Sequence, residues 1–208
     1  MVVTKTYTEP PVCKKEILRY AGCRPAASTH ARTEEVQQPE MSQLQDMLEE
    51  TLEEVLPRLS YKVCCMELPL TIEEQTCDFG CMKIESKDLA KNLKGCEQVV
   101  LFAATIGVEI DRLIMKYGAV SPAKAVMLQA IGAERIESLC DTFCAELESE
   151  GMCLRPRFSP GYGDLPLETQ KDIFNLLSCS KNIGLSLNNS LLVSPSKSVT
   201  AFVGKEFR

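Results

Sequence analysis

A stretch of twelve residues, 155–166, carries the side chains of this sequence that are best suited to hold a ligand. It contains three prolines and two glycines, a density that disfavours a helix or a central strand and predicts a stiff, turning loop. Arg157 offers a planar guanidinium that suits a carboxylate, Tyr162 offers an aromatic face with a hydroxyl, and Gly161 allows a ligand to approach the backbone. The alternative is a structural corner with a solvated arginine, and the residues alone leave both interpretations open.

A second candidate, Glu137, interrupts an otherwise apolar face of a predicted helix. Six apolar or small residues recur around it at spacings of three and four, which places them on one side of the helix. A carboxylate on such a face needs a cationic or hydrogen-bonding partner, or it lines a cavity. The alternative is a glutamate at the helix edge that reaches solvent. The other members of this face are Val126, Ala130, Ala133, Cys140, Cys144 and Leu147.

Eleven cysteines and one histidine, His30, limit the other kinds of chemistry. The pairs spaced by four, Cys77 with Cys81 and Cys140 with Cys144, do not form the C-x-x-C blocks of a structural zinc site. A single histidine also removes the usual Cys–His and Ser–His catalytic arrangements. In a reducing compartment such cysteines are more often small buried hydrophobes. A cysteine-based metal or redox protein remains the alternative.

The composition indicates an acidic globular protein. The chain has 208 residues, of which 45% are hydrophobic and 25% charged, with a net charge of -6. This charge and the lack of a basic stripe argue against nucleic-acid binding. No apolar run reaches the roughly 18 residues of a membrane span, and residues 1–11 lack the apolar core of a signal peptide. We therefore expect a cytoplasmic protein.

Periodicity and capping signals predict the elements that position these side chains. Ser86 is a plausible helix cap, and Ser121 followed by Pro122 is a strong helix start. The mixture of helices and strands lacks regular alternation, which favours the α+β class. The predicted helices are 14–20, 41–56, 87–93, one that opens at Thr105 or Gly107 and ends near 117, 122–149 and 167–177. The predicted strands are 61–68, 99–104, 185–187, 191–193 and 199–203, and residues 26–38 are a predicted loop.

A third feature lies near the C-terminus, where apolar runs flank a polar turn that contains Pro195. The runs fall within residues 183–188 and 194–204. One interpretation is that the flanking strands form a hairpin-like pair across this turn. An ordinary sheet with a loop is equally compatible with the residues.

Several segments together carry a resemblance to a known family. Residues 157–162 read R-x-x-P-G-Y, and residues 195–204 run from a proline through small residues to Ser-Val and a final glycine. Residues 130–141, with Glu137, Cys140 and Asp141, add a third segment, and residues 101–111 and 15–20 add two more. In this order the segments resemble the activation domain of cobalamin-dependent methionine synthase, in the form of its stand-alone members. The resemblance covers nearly the whole chain.

The resemblance implies a C-shaped α+β domain, built on a twisted antiparallel sheet flanked by helices. It also implies that S-adenosylmethionine binds along residues 157–162. Arg157 would pair with the α-carboxylate, Glu137 would attract the ammonium or the sulfonium, and Tyr162 would pack near the sulfonium or the ribose. Backbone groups of Phe158 and Ser159 would contact the amino-acid end or the adenine. The binding residues implied are Glu137, Arg157, Phe158, Ser159, Pro160, Gly161 and Tyr162.

The resemblance further implies a role in repairing a partner enzyme. A methionine synthase would hold the cobalamin, a flavodoxin-like donor would reduce the cobalt from the cob(II)alamin state, and S-adenosylmethionine would donate a methyl group. The chain would then be an accessory subunit of a methyltransferase, acting in trans. Residues 41–208 would form the binding domain, and residues 1–40 an extension that is packed on it or partly flexible. The alternatives are a reactivator of another corrinoid methyltransferase and a non-catalytic S-adenosylmethionine-binding regulatory module.

Overall fold

A five-stranded antiparallel sheet forms the centre of the protein in a computed structural model that describes residues 1–23, 34–149 and 153–206. The helices are α1 (Lys14–Tyr20), α2 (Glu34–Val55), α3 (Lys87–Asn92), α4 (Glu109–Val120), α5 (Pro122–Ser149), α6 (Thr169–Leu177) and α7 (Cys179–Ile183), with a 3-10 turn at Leu56–Arg58. The strands are β1 (Val3–Tyr7), β2 (Tyr61–Pro69), β3 (Thr71–Glu73), β4 (Thr76–Asp78), β5 (Lys83–Glu85), β6 (Gln98–Thr105), β7 (Cys153–Leu154), β8 (Ser186–Leu187), β9 (Val193–Ser194) and β10 (Ser198–Glu206).

The order of the strands in the main sheet is β1-β2-β6-β10-β7, and every neighbouring pair is antiparallel. β6 lies in the middle, where Ala103 is opposite Cys64 of β2 and Thr200 of β10. Two smaller sheets, β3-β4-β5 and β8-β9, lie outside it. The predicted α+β class, with an antiparallel sheet flanked by helices, is confirmed.

Both faces of the main sheet are buried, which explains why β6 is an uninterrupted apolar run. Successive side chains of a strand point to opposite faces, so Leu101 and Phe102 enter different cores. The first core lies between the sheet and α1, α2, α4 and α5, and it contains the ring pair Phe102–Phe143 at 5.0 Å. The second core lies on the opposite face with α3, α6, α7 and β3–β5, and it contains Phe79–Phe202 at 5.2 Å.

The longest helix, α5, anchors the N-terminal segment through a fully buried arginine. The guanidinium of Arg135 donates to both carboxylate oxygens of Glu134 and to the carbonyls of Pro10 and Pro11. Glu134 also accepts a hydrogen bond from the backbone N–H of Cys13. Both buried charges are therefore paired and further hydrogen-bonded, as burial of an ion pair requires.

Several elements agree with the sequence prediction and others correct it. The predicted α1 is confirmed, and Ser86 caps α3 by accepting from the N–H of Leu89. α2 begins at Glu34 and not near residue 41, so the predicted loop over 26–38 is wrong for residues 34–38, whose Glu and Gln content favours a helix. Residues 26–33 of that loop, and His30 with them, lie outside the described residues.

The structure also contains elements that the sequence did not predict. β1 pairs along its whole length with β2. Strands β3, β4 and β5 have three residues each, too few for an alternating pattern to show. The division of the chain at residue 40 stays a prediction, and α2 runs across it. Among the described helices, none combines the length and apolar character that crossing a membrane requires.

Candidate functional site

The loop of residues 155–166 continues from β7 along the edge of β10 that faces away from β6. The N–H of Arg155 donates to the carbonyl of Gly204, and Phe158 exchanges both backbone hydrogen bonds with Phe202, each at 2.9 Å. The side chain of Phe158 fills the second core and is 5% exposed. These bonds fix the loop to the sheet, and they lie on either side of Arg157.

Beyond Phe158 the chain turns back on itself. Tyr162 N–H donates to the carbonyl of Ser159, and Gly161 N–H donates to the carbonyl of Leu165 at 2.9 Å. Gly161 has φ +85°, a conformation that glycine adopts without strain. Pro160 is buried and Ser159 is half-buried. The predicted turning loop is therefore ordered by its own backbone hydrogen bonds.

The far end of the loop is held by α3. Asp164 accepts from the Ser86 hydroxyl at 2.5 Å and from the backbone N–H of Lys87 at 2.8 Å. The hydrogen bond from Ser86 holds the pKa of the Asp164 carboxyl below its ordinary value. Gly163 has φ +57°, and a Cβ there would lie 2.4 Å from Oδ2 of Asp88. Only glycine allows the loop to come this close to α3.

Arg157 is held by two carboxylates of α5. Its Nη1 donates to Oδ1 of Asp141 at 2.6 Å, and its Nη2 donates to Oε2 of Glu137 at 2.7 Å. The exposed fractions of the side chains are 25% for Arg157, 46% for Glu137 and 71% for Asp141. The structure thus brings together two residues that the sequence singled out separately, Arg157 and Glu137.

The electrostatics of this cluster keep the guanidinium charged. Partial burial disfavours the charged form of Arg157, but the hydrogen bond to Asp141 and the nearby carboxylates raise its pKa overall. The thiol of Cys144 lies near Arg157, yet burial raises its pKa despite the cation. A thiol with a raised pKa is a poor nucleophile at neutral pH, so this position does not favour a redox interpretation of the cysteines.

Two open grooves adjoin residues 155–163 of the loop. One, of about 490 Å³, is bordered by the ring of Tyr162, which is 69% exposed and meets Phe158 edge to face at 5.3 Å. Its other lining residues are Asp88, Lys91, Asn92, Arg155, Pro156 and Gly163. The second groove, of about 470 Å³, is lined by Cys144, Glu148, Leu154, Arg155, Pro156 and Arg157. Both volumes fall in the range of ligand clefts, about 300–1,000 Å³.

The ligand contacts expected from the backbone of Phe158 and Ser159 stay predictions, and the structure shows which of these backbone groups already have a partner. The backbone of Phe158 was expected to contact a ligand, but its N–H and carbonyl are both engaged with Phe202. The carbonyl of Ser159 is likewise the acceptor of the turn to Tyr162. The amide N–H of Phe158 therefore holds the loop on the sheet. This is expected because unpaired N–H and C=O groups of a strand form hydrogen bonds with an adjacent extended segment.

The structure adds residues to the site that the sequence did not single out for a role there. Asp141 lies one helical turn after Glu137, so the i, i+4 spacing on a common face was a usable signal. No such spacing marks Asp164 or Asn92 in the sequence. Asp164 contacts the start of α3, and Asn92 donates to the carbonyl of Pro156, so both contacts join segments that are distant along the chain.

The C-terminal segment does not form the expected hairpin. β8 pairs with β9, whereas β10 pairs with β6 and β7. The turn before β10 is fixed to α4, since Ser196 donates from its N–H and its hydroxyl to Asp111. β10 pairs with β6 over eight residues, whereas β8 and β9 pair over two, so the pairing with β6 satisfies more backbone N–H and C=O groups.

The cysteines are all free thiols, and six of the eleven are buried. Within the ranges that the structure describes, no group of three or more His, Cys, Asp or Glu side chains is arranged to hold a metal ion. All six buried cysteines belong to the two hydrophobic cores, where they act as small apolar residues.

Comparison with known proteins identifies the fold. No protein-family model matches the sequence, and no curated protein sequence matches it. The structure is similar to the crystal structure of the MetH reactivation domain bound to AdoHcy, with a TM-score of 0.68 and 16% sequence identity. The similarity covers 99% of this chain and 78% of that chain. The chain has the fold of the MetH reactivation domain. The resemblance seen in the sequence is confirmed at the level of the fold.

Proposed function

We propose that this chain binds S-adenosylmethionine against the loop of residues 155–166 and presents its methyl group to a cobalamin held by a partner protein. One observation carries the proposal. Arg157 and Glu137, twenty residues apart in sequence, meet at this loop in a fold shared with a domain that has AdoHcy bound. AdoHcy is S-adenosylmethionine without the methyl group and the positive charge of the sulfonium, so the two ligands share their adenosine and amino-acid parts.

The residues at the loop fit the parts of this ligand. Arg157 is a permanent cation with a planar fork, which suits the α-carboxylate. Glu137 is a half-exposed carboxylate that can attract the ammonium or the sulfonium. The exposed ring of Tyr162 offers an aromatic face to the sulfonium or the ribose. Ser159, Pro160 and Gly161 set the course of the backbone between them.

In this proposal the chain positions the methyl donor and carries out no acid–base chemistry. S-adenosylmethionine supplies the methyl group when bound, and the cobalamin of the partner receives it. The loop is fixed at both ends, to β10 by Phe158 and to α3 by Asp164, which lowers the entropic cost of ordering a bound donor. We place the encounter in the cytoplasm, with a methionine synthase as the partner and a flavodoxin-like electron donor.

Calorimetric titration with S-adenosylmethionine tests the binding step. The wild-type protein is expected to bind saturably, and Arg157→Ala is expected to lose at least tenfold in affinity, since a charge-assisted contact contributes about 1.5–3 kcal/mol. Arg112→Ala is the matched control, because Arg112 is an exposed arginine paired with Glu109 on α4. Equal affinity of Arg157→Ala and the wild type would exclude Arg157 as the carboxylate partner.

A transfer assay separates the alternatives. The protein is mixed with a methionine synthase that lacks its activation domain, cob(II)alamin, a reductant and S-adenosylmethionine labelled in its methyl group. Label on the cobalamin supports the proposed reactivation. Transfer only with a different corrinoid protein supports the second reactivator role, and binding without any transfer supports a regulatory module.

A further inference from the structure

We infer that Asp141 is an internal competitor for the ligand's carboxylate at Arg157, and that it sets the affinity of the site. This inference rests on the proposed function, because it concerns the ligand assigned to Arg157 there. In the structure, the Asp141 carboxylate accepts from Nη1 of Arg157 at 2.6 Å. That is the type of bond, at the type of distance, that the α-carboxylate of an amino acid would make.

Each terminal nitrogen of Arg157 already donates to one internal carboxylate, and Asp141 is the partner of Nη1. The Nη2 side of Arg157 already donates to Glu137 at 2.7 Å. A planar guanidinium binds a carboxylate best with two parallel bonds from one edge. Because each terminal nitrogen already has an internal carboxylate as partner, a ligand carboxylate that takes both bonds of this edge competes with Asp141 and Glu137.

Of the two carboxylates, Asp141 should lose its hydrogen bond to Arg157 at the lower cost in free energy. Its side chain is 71% exposed, against 46% for Glu137, so solvent screens its bond to Arg157 and hydrates the freed carboxylate. The buried ion pair on α5 behaves in the opposite way, because its charges are shielded from solvent. Glu134 and Arg135 are almost completely buried and are tied to the N-terminal segment, so that pair cannot open without exposing a desolvated charge.

Charge adds to this competition. The cluster contains one guanidinium and two carboxylates, and a ligand carboxylate becomes the third acid on a single cation. Asp141 also repels the ligand's carboxylate when that carboxylate uses only the remaining N–H groups of Arg157. Removing the charge of Asp141 should therefore strengthen binding, whereas removing Arg157 should weaken it.

Calorimetric titration of Asp141→Asn with S-adenosylmethionine tests the inference. The variant is expected to bind about two- to fivefold more tightly than the wild type, the range that corresponds to the weak interaction of an exposed ion pair. Asp141→Ala, which also removes the acceptor, is expected to bind at least as tightly as Asp141→Asn. Glu109→Gln is the control, since it removes one negative charge from an exposed ion pair on α4 and should leave the affinity unchanged.

The outcomes separate the two proposals. If the wild type binds and Asp141→Asn binds equally or more weakly, Asp141 is no competitor and the inference is overturned, while the proposed function stands. Binding by Asp141→Asn but not by the wild type supports the inference in its strongest form. If neither protein binds, with both folded by circular dichroism, the proposed function and this inference fail together.

Discussion

At the scale of single residues, the loop depends on glycines that no other residue replaces without strain. Gly161 and Gly163 both have positive φ, and they allow the tight course that leaves Tyr162 exposed between them. At Gly163 space is limiting as well, because the carboxylate of Asp88 occupies the volume of a side chain. Here the identity of one residue determines whether the loop reaches α3.

Replacing Gly163 with alanine should destabilise the protein by about 1–3 kcal/mol, because a non-glycine residue at positive φ is strained and its Cβ would displace Asp88. The measurement is the urea midpoint followed by circular dichroism. Gly118→Ala on α4 is the matched control, since nothing lies within 4 Å of a Cβ there, and it should stabilise by about 0.5–1 kcal/mol. Equal effects of the two substitutions would contradict the role of Gly163.

At the scale of elements, α3 and the loop stabilise each other. α3 has six residues, and an isolated helix of that length is not stable in water. Its first N–H groups are satisfied by Ser86 within the helix cap and by Asp164 from the loop. The same contacts that cap α3 therefore fix the end of the loop that is furthest from Arg157.

This arrangement predicts a pH dependence at Asp164. Its pKa is lowered in the folded protein, first by the Ser86 hydroxyl and then by backbone N–H groups, against an opposing effect of desolvation. Its contribution to stability is therefore present above the unfolded pKa, about 4, and is lost as the pH falls through the folded pKa. The wild type should have a higher urea midpoint than Asp164→Asn at pH 7, and the difference should vanish on acidification.

The control for this measurement is Asp46→Asn, an exposed position on α2, which should change the midpoint little at either pH. A difference between the wild type and Asp164→Asn that persists unchanged at pH 2 would show that the charge of Asp164 does not cap α3.

At the scale of the whole molecule, the central sheet belongs to both cores. β6 sends Val99, Leu101 and Ala103 into the second core, and it sends the alternate residues into the first. Neither core can lose its packing without exposing the other face of the same strand. We therefore expect the described domain to unfold as one cooperative unit.

The free cysteines report on this cooperativity. Cys140 is fully buried in the first core and Cys77 in the second, where burial raises the pKa of Cys77 to about 11. Pulse alkylation at increasing urea, read by mass spectrometry, should label both thiols with one common midpoint. The exposed Cys13 and Cys81 should react without urea. Earlier labelling of Cys77 would mean that the second core opens independently.

The sequence by itself determined the elements whose signals are local. The cap at Ser86, the start of α5 at Pro122, the apolar run of β6 and the Pro/Gly loop of residues 155–166 were predictable because caps, periodicity and backbone restraints act within a few residues. The chemical types of Arg157 and Glu137 also marked them as candidates, and the family resemblance indicated the fold that the structure confirms.

Only the tertiary structure decided which of these elements meet. It paired β10 with β6 instead of a neighbouring strand, added β1 to the sheet edge, engaged the backbone of Phe158 with Phe202, and gave Arg157 two internal carboxylates. Each of these contacts joins segments that are distant along the chain. Which of the possible pairings forms depends on two free-energy terms: the gain from the apolar surface that the pairing buries and the entropic cost of closing the intervening chain. Neither term can be read from a few neighbouring residues.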